Sequence, residues 1–142
     1  MEYSYKYPRP ALTVDAIVVS ERNSEMVVLL IQRKFPPFEG KWALPGGFVN
    51  MDETLLEACG RELLEETGLD NIELKQFFTF DAIDRDPRHR TISVVFSAWL
   101  QEPLHVVGGD DAARAEWFPI ISLPDMAFDH DEIINKYLKE RL

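Results

Sequence analysis

The residues with the clearest capacity for chemistry are three glutamates near the end of one predicted helix. Glu62, Glu65 and Glu66 are spaced so that a helix of about 3.6 residues per turn brings their carboxylates together. Like charges at this spacing repel each other, at a cost of about 0.2–0.5 kcal/mol per pair. A cation between them would turn that repulsion into binding free energy, and carboxylate oxygens suit Mg²⁺ or Mn²⁺. A solvated acidic helix face is the alternative, and the cluster alone leaves both open.

The helix that carries these glutamates is predicted over residues 54–67. Thr54 and Glu57 fit a capping box at its start, and Gly68 stands where a C-terminal glycine belongs. Apolar side chains on one side of the helical wheel predict its buried face: Leu55, Leu56, Cys59 and Leu63. The predicted helix is therefore apolar at its start and anionic at its end.

Short apolar runs and turns make up most of the remaining chain. Strands are predicted over residues 14–20, 26–32, 42–49 (with an interruption at 45–47), 72–83, 91–100 and 116–120. A second helix is predicted over residues 129–142, with one apolar stripe: Ile133, Ile134, Tyr137, Leu138 and Leu142. Strands outnumber helices and do not alternate with them regularly, which favours an α+β domain over a Rossmann-type fold.

The composition fits one domain, residues 1–142, with an acidic surface. Hydrophobic residues make up 46% of the 142, enough to fill a core, and the net charge of −10 disfavours binding to nucleic acid or anionic membranes. Cys59 is the only cysteine, and its place on the apolar side of the helix predicts a core residue. Because neither a membrane span nor a signal peptide is evident, we expect a cytoplasmic protein.

A fixed spacing pattern surrounds the predicted helix. Its fixed positions are Gly47, Glu53, Arg61, Glu62, Leu63, Glu65, Glu66, Gly68 and Leu69. This pattern resembles the Nudix box, and the resemblance to the Nudix hydrolase family extends over almost the whole chain. It implies the Nudix fold, a mixed β-sheet sandwiched between α-helices in an α/β/α arrangement. It also implies hydrolysis of a nucleoside diphosphate linked to another group, a small-molecule nucleotide substrate.

The resemblance also implies roles for individual residues of the box. It implies binding of a divalent metal by four groups: Glu62, Glu65, Glu66 and the carbonyl of Gly47. It further implies that Arg61 and Glu53 pair and brace the helix against its preceding loop, which would orient the metal ligands. For Arg61, the alternative is an ordinary surface ion pair of little energetic value.

Two segments outside the box, residues 33–47 and 80–93, resemble those of small bacterial ADP-ribose pyrophosphatases. The resemblance implies cleavage of ADP-ribose to AMP and ribose 5-phosphate, although His89 stands where a glycine is expected. The candidate substrate-binding cations in these segments are Arg33, Lys41, Arg85, Arg88 and Arg90. Arginine binds phosphate in a bidentate manner. The alternative is that the loop arginines only balance neighbouring aspartates.

A general base is expected downstream of the helix, as in ADP-ribose-hydrolysing relatives. Three acids in the segment 108–116 are candidates: Asp110, Asp111 and Glu116. Gly108 and Gly109 would permit this segment to move over a substrate. The alternative is that the aspartates cap a turn.

Two other functions remain open on the sequence. One is an ADP-ribose-sensing or binding module with weak catalysis, in which decay of the metal glutamates is expected, yet all are intact. The other is a Nudix nucleoside triphosphate pyrophosphatase. Residues 121–142 are too short for a winged helix, so we expect no fused DNA-binding regulator. The tyrosine-rich N-terminal arm predicts an edge strand, a homodimer contact or a shelf for adenine.

Overall fold

The computed structural model describes residues 2–141, which form a seven-stranded mixed β-sheet and two helices. The elements in chain order are β1 (Ala11–Arg22), β2 (Glu25–Arg33), β3 (Trp42–Ala43), β4 (Gly46–Phe48), α1 (Leu55–Thr67), β5 (Lys75–Phe80), β6 (Thr91–Trp99), β7 (Ala112–Pro119) and α2 (His130–Arg141). The predicted α+β class is confirmed. None of the helices within residues 2–141 is long and apolar enough to cross a membrane.

The sheet is organised around β1, which is buried over most of its length. The strands β3, β2, β1, β6 and β5 lie side by side in this order, β4 pairs with β1, and β7 pairs with β2. Only the β1–β6 pair is parallel among these strands. In the β1–β4 pair, Val14 lies opposite Gly47 and Asp15 opposite Gly46. This register brings the glycines of the box directly against the centre of the sheet.

The two helices cover opposite faces of the sheet. Successive residues of a strand point to opposite faces, so the buried residues of β1 divide into two sets. Val14, Ala16 and Val18 pack in one core with Cys59 and Leu63 of α1. The alternate set, Ile17 and Val19, packs in a second core with three buried residues of α2: Ile133, Ile134 and Tyr137. The sandwich of helices around the sheet is therefore present as expected.

The start and end of α1 match their sequence signals. Thr54 Oγ1 accepts a hydrogen bond from the Glu57 backbone N–H, and Glu57 Oε1 accepts one from the Thr54 N–H, which completes the capping box. Gly68 adopts a left-handed conformation with φ of 81° and donates to the Leu64 carbonyl. The prediction for Leu56 was wrong, since this side chain is 52% exposed and Ala58 takes its place in the core.

Several predicted strand bounds shift because pairing with distant strands decides them. β1 extends to Arg22, which pairs with Glu25, so the turn contains only Asn23 and Ser24. β7 begins at Ala112 instead of residue 116, because it pairs with β2 up to Arg33.

Other bounds follow local geometry. The strand predicted over residues 42–49 divides into β3 and β4, and the glycines at 46 and 47 belong to β4. β5 keeps only the part of 72–83 that pairs with β6. The N-terminal arm, described from residue 2 to 10, forms no strand. The last residue of the predicted stripe, Leu142, lies outside the described residues.

We predict that Thr54→Ala lowers the free energy of unfolding by about 1 kcal/mol, because it removes the side-chain acceptor of the α1 capping box. Urea denaturation of the parent and the variant measures the difference. Leu56→Ala on the exposed face of the same helix is the matched control and should change stability by less than about 0.5 kcal/mol. Equal stability of Thr54→Ala and the parent would contradict the role of the cap.

Candidate active site

A cavity of about 370 Å³ lies where β4, the C-terminal part of α1 and several loops meet. The charged residues of its wall come from distant parts of the sequence: Asp15, Arg33, Glu62, Glu66, Arg85, Asp86, Arg88 and Asp111. Phe35, Phe48 and Phe128 add aromatic surface. The cavity therefore brings acidic, basic and aromatic groups together within a single concave surface.

A group of carboxylates from α1 and the loop before β7 could hold a metal ion. Glu62, Glu65 and Asp110 each place one carboxylate oxygen within 4.8 Å of the others. Hard oxygen donors in such a group fit Mg²⁺ or Mn²⁺. Asp110 thus joins two of the three predicted glutamates. The third predicted glutamate, Glu66, is not part of this group and contacts Gly46 instead.

Glu66 is buried in the wall of the cavity, with 4% of its surface exposed. Its Oε1 accepts a hydrogen bond from the Gly46 backbone N–H at 2.9 Å. This contact fixes β4 against the C-terminal part of α1. Glu66 lines the same cavity as Glu62 but is not one of the three clustered carboxylates.

Two glycines allow the backbone to approach α1 closely. A Cβ atom at Gly47 would lie 2.5 Å from the Glu62 carboxyl carbon, and one at Gly109 would lie 2.5 Å from the Glu65 carbonyl oxygen. A side chain at position 47 would displace the Glu62 carboxylate, and one at position 109 would push the 108–111 segment away from the helix backbone. The glycines therefore set the distance between the carboxylate group and its surroundings.

Arg61 links the loop, β4 and the acidic end of α1. Its guanidinium donates to both carboxylate oxygens of Glu53, at 2.7 and 2.9 Å. It also donates to Glu62 at 2.8 Å, to Glu65 at 3.2 Å and to the Phe48 carbonyl at 3.1 Å. The implied Arg61–Glu53 contact is thus present, and the arginine contacts much more than an isolated surface ion pair would.

The protonation of the acidic groups differs between the surface and the cavity wall. The hydrogen bonds from Arg61 lower the pKa of Glu53 to about 2. Burial raises the pKa of Glu62 to about 7, and burial with the neighbouring carboxylates raises that of Glu66 to about 9. A bound cation favours the charged form of nearby carboxylates. A cation at the cavity wall would therefore favour the charged forms of Glu62 and Glu66.

Arg33 and Arg88 supply positive charge to the same cavity. Arg33 Nε donates to the Pro37 carbonyl at 2.7 Å, and its guanidinium lies 4.9 Å from the centre of the Phe128 ring. Arg88 forms a bidentate pair with Asp86, at 2.8 and 3.1 Å, and lies 5.6 Å from the same ring. The two arginines therefore flank Phe128, in position to bind an anionic part of a ligand.

The other predicted cations have different surroundings. The side chain of Arg85 lines the cavity but is 4% exposed and is held in a bidentate pair with Asp129 at 2.7 and 2.9 Å. Arg90 donates to two backbone carbonyls and borders a second cavity beside the N-terminal arm. Lys41 is exposed and lies outside both cavities. The prediction that Arg90 and Lys41 line the substrate site was wrong, because neighbours in sequence need not point their side chains into the same cavity.

The three acids predicted downstream of the helix separate in the structure. Asp110 belongs to the carboxylate group, and Asp111 lines the cavity. Glu116 lies on β7 and pairs with Arg114, outside the cavity. Its prediction as part of a mobile loop was wrong, since residues from Ala112 onward pair with β2.

Two residues of the cavity wall were missed by the sequence reasoning. Asp15 is a buried carboxylate in the middle of β1, and its charge within a run of apolar residues was the available signal. Asp86, which orients Arg88, was considered only as a balancing charge. His130 is buried at the start of α2 and accepts a hydrogen bond from the Leu44 N–H at 2.9 Å.

The sequence matches the NUDIX domain family over residues 9–137, so the chain belongs to the Nudix family. It is 44% identical over 138 residues to an ADP-ribose pyrophosphatase of Methanocaldococcus jannaschii, covering 94% of this chain and 76% of that protein. It is 34% identical to the ADPR responsive transcriptional repressor NtrR of Acinetobacter baylyi, covering 92% of this chain and 54% of the repressor.

Solved structures give the same result. The NUDIX domain of Shewanella oneidensis NrtR, complexed with ADP ribose, superposes with a TM-score of 0.88 at 29% identity. That comparison covers 99% of this chain and 94% of the solved chain. The predicted family and fold are both confirmed by these similarities.

We predict that the metal-free protein loses stability as the pH rises from about 5 to about 9, because Glu66 has a raised pKa of about 9 in the folded state. The folded state then holds a proton that the unfolded state has released, so the free energy of unfolding falls with pH across this window. Glu66→Gln should flatten the dependence. Thermal unfolding in EDTA over this pH range measures the effect.

Glu73→Gln is the control for this experiment, since Glu73 is exposed. It should keep the pH dependence of the parent. A Glu66→Gln variant that follows the parent curve would show that the pH dependence arises from other groups.

Proposed function

We propose that this chain is a metal-dependent Nudix pyrophosphohydrolase that cleaves ADP-ribose to AMP and ribose 5-phosphate. The observation that carries the proposal is a cavity lined by Arg33, Arg88 and Glu62, in which Glu62 also belongs to a cluster of three carboxylates that could hold Mg²⁺ or Mn²⁺. The similarity to an ADP-ribose pyrophosphatase supports the choice of substrate.

The carboxylates of Glu62, Glu65 and Asp110 would hold the cation. Such a cation neutralises the charge of a diphosphate and lowers the pKa of a bound water. Arg61 would keep Glu62 and Glu65 in a fixed orientation, since its guanidinium already contacts both. The Gly47 carbonyl would be a further ligand of this cation.

Arg33 and Arg88 would bind the phosphate oxygens that the cation does not contact. Charged hydrogen bonds of this kind are stronger than neutral ones, and they would hold the diphosphate across the carboxylate group. Asp111 is the candidate general base among the three downstream acids, because it lines the cavity and lies outside the carboxylate group. Its carboxylate would accept a proton from the attacking water.

Binding of ADP-ribose without hydrolysis is the second candidate function. The similarity to the ADPR responsive repressor and to the ADP ribose complex favours it. The complete carboxylate group favours the enzyme, because a binding module needs no such cluster for water activation.

We also propose that the protein is cytoplasmic and forms a homodimer through its N-terminal arm, on which Tyr3, Tyr5 and Tyr7 are exposed.

We predict that the protein releases AMP from ADP-ribose in Mg²⁺ and that Glu65→Gln or Asp110→Asn lowers kcat by about a hundredfold or more, because each removes a charged ligand of the cation. The measurement is product analysis by mass spectrometry with ADP-ribose, sugar nucleotides, NADH and nucleoside triphosphates as substrates. EDTA should abolish the activity.

Glu116→Gln serves as the matched control, because this acid lies outside the cavity, and it should retain the parent kcat. A preference for a triphosphate would retain the chemistry and refute the substrate. Tight ADP-ribose binding without turnover of any compound would favour the binding module.

We predict that Arg33→Gln raises the KM for ADP-ribose by about tenfold with a smaller effect on kcat, because it removes a charged donor to the diphosphate. Initial rates at varied substrate concentration give both constants. Lys41→Gln, which removes a cation of the same sequence segment outside the cavity, should leave KM unchanged. An equal rise of KM in both variants would indicate a long-range charge effect instead of a contact.

A further inference from the structure

The buried carboxylate of Asp15 is only half satisfied by the protein. Asp15 is 6% exposed, and its Oδ2 accepts a hydrogen bond from Ser93 Oγ. Among the described residues, its Oδ1 accepts no hydrogen bond. The nitrogen His130 Nε2 lies 3.8 Å from this oxygen. That distance exceeds hydrogen-bond range, and a buried charge without partners is costly.

His130 presents a donor beside this acceptor. Its Nδ1 accepts the Leu44 N–H at 2.9 Å, so the neutral ring carries its hydrogen on Nε2. Burial lowers the pKa of His130, which keeps the ring neutral. Asp15 Oδ1 and His130 Nε2 therefore form an adjacent acceptor and donor.

Both groups reach the cavity. Asp15 and His130 line it, and within residues 2–141 no side-chain nitrogen or oxygen that is sealed from open space lacks a hydrogen-bond partner. The two unpaired atoms must therefore contact the open space. Gly46 keeps it open, because a side chain at this position would overlap Asp15 Oδ1.

The charge near Asp15 determines which part of a ligand would lie there. Asp15 and Glu66 are buried acidic residues that line the same cavity, and the unpaired oxygen of the Asp15 carboxylate repels phosphate. The floor beside Asp15 thus suits an uncharged part of the ligand that offers hydrogen bonds.

We propose that Asp15 and His130 form a specificity site, in which Oδ1 accepts and Nε2 donates a hydrogen bond to the uncharged end of the bound nucleotide. This inference rests on the proposed function, because it assigns a role within the same cavity. The matching chemistry is an adjacent donor and acceptor, which the edge of adenine and the hydroxyls of a ribose both provide.

The test compares binding of the two reaction products, which are not turned over. The parent, Asp15→Asn and Ser93→Ala are titrated in Mg²⁺ with AMP and with ribose 5-phosphate by calorimetry. Asp15→Asn should weaken one product about tenfold or more and leave the other within twofold, since the acceptor loses its charge. The weakened product identifies which end of the ligand Asp15 contacts.

Ser93→Ala is the matched control, because it removes the other partner of the carboxylate and retains Oδ1. It should keep the parent preference. Unchanged binding of both products by Asp15→Asn would overturn the proposal, and so would an equal loss for both, which indicates a general disturbance of the cavity.

A second measurement uses the unaltered protein and does not depend on the folding of a variant. Purine riboside 5′-monophosphate lacks the amino group of AMP, and deoxy analogues of ribose 5-phosphate lack single hydroxyls. One analogue should bind about tenfold more weakly, and equal affinity for all of them would overturn the proposal. Neither measurement requires hydrolysis, so an inactive parent that shows the preference would refute the proposed function alone.

Discussion

The guanidinium of Arg61 is the contact on which the arrangement of the acidic residues depends. Glu62 and Glu65 carry like charges on neighbouring turns of α1, and their repulsion would spread the side chains apart. Arg61 contacts both carboxylates and at the same time contacts Glu53 and the Phe48 carbonyl. One side chain thereby connects the loop, β4 and the helix. Two of the three clustered carboxylates, those of Glu62 and Glu65, are therefore held in place without a cation.

Net charge and local charge have opposite consequences in this protein. A net charge of −10 repels an anionic ligand at long range, but salt screens exposed charges beyond about 8 Å at physiological ionic strength. Within the cavity, Arg33 and Arg88 and a cation on the carboxylate group would dominate at short range. Because Arg88 is itself oriented by a buried carboxylate, Asp86, the positive charge has a fixed direction. An acidic protein can thus select a diphosphate by geometry without binding polyanions in general.

The sequence was sufficient for features that depend on local signals. The capping box, Gly68 and the helical spacing of the glutamates define α1 within a few residues, and the structure follows them. Asp110 could not be assigned to the carboxylate group, because its approach to α1 depends on Gly109 contacting the helix backbone. The same limit applies to the cations, since Arg33 and Lys41 flank one loop but only Arg33 turns into the cavity. Side-chain direction in such loops is set by tertiary contacts that spacing does not record.

Asp15 illustrates how stability and recognition compete in the same strand. Its neighbours Val14 and Ala16 are buried in apolar surroundings, where a carboxylate with one unpaired oxygen lowers stability. An apolar residue of similar size would pack there without that cost, provided Ser93 was replaced as well. The unpaired oxygen becomes favourable when a ligand supplies the missing donor. The unpaired carboxylate lowers the stability of the fold but increases selectivity, because a ligand that lacks the donor leaves the carboxylate unpaired and binds more weakly.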